Sequence, residues 1–190
     1  MDLFSNLQSQ LAQVLRIGDV KACERRVAAE LSTLPTSPFH IVLDLSIVTD
    51  PRGLAASFDN FFRRESRRFK MAAAYTEMNG FCINPDLWFC DLFAYHQYGG
   101  HDDYDWLADW QSEESGSFVI EGLEPLQAVY ASDAFRDKRF ADASMLTDLL
   151  VVIKFQDLIR RASRHMQELR FPLLATAHDY DFIYEVPRVA

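Results

Sequence analysis

The chain has 190 residues, 49 % apolar and 13 % aromatic, which is enough to fill one sizeable core and too hydrophobic for a disordered segment. Its formal charge of −9 argues against nucleic acid and against anionic membrane surfaces as partners, because both are bound through Lys and Arg. The N-terminus carries no basic leader and no apolar run reaches the roughly eighteen residues of a membrane span, while three cysteines (Cys23, Cys82 and Cys90) are too few for a disulfide scaffold, so a cytoplasmic protein with buried thiols is expected.

In chain order, residues 1–34 read as a helical hairpin. Leu7, Leu11 and Val14 form one stripe, Val20, Cys23, Val27 and Leu31 another, and Gly18-Asp19 supplies a C′ glycine followed by an N-cap. "FHIVLDLSIVT" alternates Phe39, Ile41, Leu43, Leu45 and Ile47, which predicts a strand over 39–49. Asp50-Pro51 opens a helix over 51–70 that carries Leu54, Phe58, Phe61 and Phe62 on one face. Residues 71–95 read as hairpin strands with Asn79-Gly80 between them. An acidic aromatic loop over 99–116 follows, then helices over 122–169, clearest from Ser144 onward, and a strand over 174–187 with one apolar and one acidic face. The elements come in groups rather than in strict βα alternation. The expected fold is therefore a single α+β domain, a mostly antiparallel sheet packed against helices, with an N-terminal helical hairpin and a long helix near the C-terminus.

The charge is unevenly placed. From Met71 to Phe135 there is no Lys or Arg, against Glu77, Asp86, Asp91, Asp102, Asp103, Asp105, Asp109, Glu113, Glu114, Glu121, Glu124 and Asp133. Like charges gathered in this way repel and need compensation. Compensation inside the chain would come from "RRESRR", where Arg63, Arg64, Arg67 and Arg68 form a basic ridge. Compensation from outside would make the loop a binding face, with Asp102, Asp103, Asp105 and Asp109 supplying charge and Tyr104, Trp106 and Trp110 supplying area. In a short helix Trp106 and Trp110 would share a side. A homo-oligomer, with the ridge of one copy on the acidic loop of another, is a third arrangement.

Tests for chemistry are mostly negative. "DDYDWLAD" lacks the glycine and spacing of an EF-hand loop, and Cys82, Cys90, His96 and His101 match no common zinc spacing, so no metal and no cofactor is expected. No phosphate-cradling or nucleophile-elbow glycine motif occurs. A small, acidic, aromatic-rich α+β domain resembles, in type, the inhibitor side of a toxin–immunity pair. That resemblance implies a non-enzymatic, immunity-like protein that neutralises a basic toxin or enzyme through residues 102–110. The alternative is a small metal- or Cys-dependent enzyme whose site is assembled by folding.

Overall fold

The computed structural model describes residues 3–16, 18–101 and 103–186. Helices α1 (Leu3–Arg16) and α2 (Val20–Thr33) form the expected hairpin. Gly18 turns the chain at φ 82°, and the Asp19 carboxylate accepts the Ala22 N–H at 2.9 Å, closing the open first turn of α2. Helix α3 (Pro51–Glu65) starts as its sequence predicts, with Asp50 accepting from the amides of Arg52 and Gly53. Helix α4 (Glu124–Tyr130) is short, and α5 (Ala141–Ser163) is long and buried along most of its length.

Five strands make one sheet in the order β3-β2-β1-β4-β5, in which β1 (Ala73–Asn79) and β4 (Leu173–Ala177) run parallel and every other pair is antiparallel. β2 is Phe89–Tyr95, and the two edge strands, β3 (Phe118–Val119) and β5 (Tyr184–Glu185), have two residues each. The fold is thus α+β with a mostly antiparallel sheet. Strand residues alternate between faces. Ala74, Met78, Cys90, Leu92, Ala94, Leu173, Ala175 and Ala177 enter the main core with the helices, and Tyr75, Tyr95 and Leu174 form a second small core on the other side.

Four expected elements take a different form. Residues 39–49 are not a strand. Ser37-Pro38 starts a 3-10 helix, Pro38–Asp44, and the buried residues are Phe39 and Val42, three apart as that helix requires. The 71–95 hairpin is wider than an Asn-Gly turn allows, because Asn79 pairs with Phe89 and the connection between them sends Phe81 and Trp88 into the core. Within 122–169, α4 and α5 are separated by two 3-10 turns, and α5 begins at Ala141, with Ser144 buried inside it, and ends at Ser163. The span 174–187 is two strands: the chain reverses at Asp179 (φ 62°) and β5 pairs back on β4, while Pro187 lies outside the described residues. Cys82 is exposed rather than buried; Cys23 and Cys90 are buried.

Polar groups tie the helical layer together. On α5, Asp157 meets Lys21 at 3.1 Å, Arg160 at 2.6 Å and Arg161 at 3.2 Å, and Glu24 on α2 meets Lys21 at 2.7 Å and Lys154 at 3.2 Å. The Asp59 carboxylate accepts the amides of Gln167 and Glu168, holding the segment after α5 against α3. Asp148 accepts a hydrogen bond from the Tyr130 hydroxyl. Burial pushes the Asp148 carboxyl up to about 6, although the Tyr130 and Tyr180 hydroxyls pull the other way.

Candidate functional site

The acidic aromatic loop crosses the face of the sheet opposite the helices. Its first half is packed down. Trp106 meets Tyr95 edge-on at 4.9 Å and Tyr98 at 5.5 Å, and its indole N–H donates to the Gly100 carbonyl at 3.2 Å. Gly99 lies so close under the Trp106 ring that a Cβ there would run into it. The Tyr95 hydroxyl donates to the Leu107 carbonyl, and the Tyr98 hydroxyl donates to Glu185 of β5 at 2.7 Å. His101 sits within 3.0 Å of the same Glu185 carboxylate and 3.3 Å from the Tyr104 hydroxyl. Tyr104 and Trp106 therefore help close the small second core.

The rest of the loop is open. Asp103, Asp105, Asp109 and Trp110 are exposed, and Asp102 lies outside the described residues. Trp110, at 51 % exposure, leans on Phe93 with ring centroids 5.1 Å apart, and Phe93 stacks on Tyr75 at 5.9 Å. Only Asp105–Ala108 is helical, a single 3-10 turn, so Trp106 and Trp110 do not share a helix side; one ring closes a core and the other faces solvent.

A strap, residues 111–117, then follows the outer edge of β2. Its closure relies mostly on side chains: the Gln111 N–H donates to the Ala94 carbonyl at 3.0 Å, while the amides of Leu92, Ala94 and His96 donate to Ser115 Oγ, Ser112 Oγ and Gln111 Oε1. A cavity of about 710 Å³ lies between the strap and β2. Phe89, Phe93 and Trp110 line it together with Asp91 and Glu114.

Asp91 was not singled out by its sequence, yet it is central. It stands opposite Glu77 in the β1–β2 register, a like-charge pair that costs stability. Its carboxylate accepts from Ser117 Oγ and Asn79 Nδ2, each at 2.9 Å. Burial, with Glu77 and Glu114 near, holds the Asp91 carboxyl above its ordinary value. Glu77 bonds the Tyr75 hydroxyl and His178 Nδ1, both at 2.9 Å, and that hydrogen bond raises the His178 pKa.

The arginine ridge reaches one end of this surface. Arg68 pairs with Glu113 at 3.3 Å, and Arg64 donates to the backbone carbonyls of Glu113 and Glu114, while both arginines also hold the buried Glu65. Arg63 is turned to Glu168 instead. Among the described residues, no Lys or Arg nitrogen lies within 4 Å of the carboxylates of Asp91, Asp103, Asp105, Asp109 or Glu114. The ridge answers the strap's first glutamate and leaves the rest.

Comparison with protein-family models, with curated proteins and with solved structures gave no match. Among the described residues no group of three or more His, Cys, Asp and Glu is placed to hold a metal ion. The zinc-like set of the sequence is split between layers: Cys90 lies in the main core and His101 stands by Glu185 on the opposite face. Burial pushes the thiols of Cys23 and Cys90 up to about 11 and about 12, so neither supplies a thiolate at neutral pH. No helix among the described residues is long and apolar enough to cross a membrane.

Proposed function

We propose that the protein is a non-enzymatic binding domain that engages a basic protein through the acidic face of its sheet, as the inhibitor does in a toxin–immunity pair. The observation that carries this reading is the exposure of Asp103, Asp105, Asp109 and Trp110 on one loop, with no described Lys or Arg nitrogen within 4 Å of these carboxylates. Carboxylates of one sign steer a basic partner into place, and an exposed aromatic ring on a rigid base gives it area to bury. Tyr104 and Trp106 contribute by fixing the loop to the sheet, so the face is already formed before a partner arrives. A cytoplasmic location belongs to the same reading and is supported by three free cysteines.

The test compares the wild-type chain with an Asp105→Lys/Asp109→Lys chain as baits at low and high salt. A partner retained only by the wild type is then purified and titrated calorimetrically. A basic protein binding one to one, weakened about a hundredfold or more by the double reversal, is the expected result. A partner held equally by both baits would remove residues 105–109 from the interface and overturn the reading.

A further inference from the structure

The sheet's outer face is covered unevenly, and the uncovered part has a definite chemistry. At the Ala73 and Tyr95 end it is sealed by Tyr98, Trp106 and Leu107. At the Asn79 and Phe89 end it stays open: Glu77, Asn79, Phe89, Asp91 and Phe93 are all only half-buried, and the 710 Å³ cavity lies beside them. We infer that this cavity receives an arginine side chain of the basic partner, its guanidinium stacked against Phe93 and Trp110 and hydrogen-bonded to Asp91. The inference rests on the reading above and names the group it would bind.

Three observations select this occupant. First, a strand cannot add here, because the edge amides of Leu92, Ala94 and His96 already have acceptors in Ser115, Ser112 and Gln111; a side chain needs none of them. Second, Asp91 is the carboxylate that the surrounding cations leave over: His178 takes Glu77 at 2.9 Å and Arg68 takes Glu113 at 3.3 Å. Asp91 faces Glu77 across the ladder and has Glu114 near, and its two direct partners, Ser117 and Asn79, are neutral. Each Asp91 oxygen accepts one such bond and keeps a lone pair for another donor. Third, the walls are aromatic. A planar guanidinium both stacks on rings and bonds a carboxylate with two parallel N–H groups, whereas a compact, strongly hydrated ammonium does neither as well.

Asp91 is thereby expected to oppose stability and favour binding. The experiment titrates capped tetra-arginine, tetra-lysine and tetra-citrulline peptides into the full chain while amide and indole NMR shifts are followed. The expected result is saturable shifts at Trp110, Phe93 and the strap, with arginine about tenfold tighter than lysine and citrulline silent. Asp91→Asn should weaken arginine binding about tenfold while leaving the thermal midpoint unchanged or higher, since it relieves the Glu77 repulsion. Trp110→Ala, at an exposed position, should weaken it independently. Arginine and lysine peptides of equal affinity, with shifts confined to residues 103–109 and no effect of Asp91→Asn, would overturn the slot and leave the acidic face standing. No shift anywhere on this surface would overturn both.

Discussion

The seam between α2 and α5 and the outer face of the sheet both collect carboxylates, and they treat them in opposite ways. In the seam, Asp157 and Glu24 are answered by Lys21, Lys154, Arg160 and Arg161. Burial would raise their carboxyls, but the hydrogen bonds from these cations overcome it and hold both below the ordinary value. On the outer face, Asp91 is raised, and Asp103, Asp105 and Asp109 stand without a cation among the described residues. Charge in the seam serves packing. Charge on the face is a cost to the isolated chain, and it is the kind of cost that a partner can relieve.

The sharpest way to break this contrast is within the loop itself. Trp106→Ala should cost about 3 to 4 kcal/mol, as expected when a packed aromatic is removed, whereas Trp110→Ala should cost under about 1 kcal/mol in urea unfolding. Equal losses would mean that the loop has no packed and free halves. In the seam, Asp157→Ala should cost about 2 kcal/mol, because it removes the shared acceptor of Arg160 and Arg161, while Lys21 keeps Glu24.

The pH dependences should also have opposite signs. Glu24, Glu65 and Asp157 have depressed folded pKa values, so their stabilisation is present above the ordinary carboxylate range and lost as pH falls through those values. Asp148 is raised to about 6, so its contribution is present below the ordinary value and lost as pH rises through about 6. Asp148→Asn should accordingly be neutral near pH 4 and stabilising by on the order of 2 kcal/mol at pH 8, read as a shift in the unfolding midpoint. The smallest effect belongs to the face: Asp105→Lys/Asp109→Lys should change stability by no more than about 0.5 kcal/mol while weakening the proposed partner binding about a hundredfold or more.

Helical periodicity made α2, α3 and much of α5 legible in the sequence, since each buries residues at three- and four-residue spacing. Residues 39–47 misled because every second residue is apolar, while only Phe39, Val42 and Ile47 are buried; the Ser37-Pro38 start was the better signal. His178 and Asp179 hid a chain reversal for a similar reason, because Phe182, Tyr184 and Val186 keep their alternation beyond the turn. The acidic surface was visible as composition. The different fates of Trp106 and Trp110 were not, because they depend on which part of the sheet the loop crosses. Asp91 could have been found: it lies between Phe89 and Phe93 on the outward positions of a strand, where an acid among aromatics is unusual.

The side-chain closure of β2 also bears on how copies of this protein behave at high concentration. Exposed strand edges template aggregation, and proteins avoid it by keeping edge strands short or covered. Both edges of this sheet end in two-residue strands, and the longer free edge, along Leu92 to His96, is occupied by two serine hydroxyls and a glutamine amide. Ser112 and Ser115 thus take up two amides that the strand of a neighbouring copy would otherwise pair with.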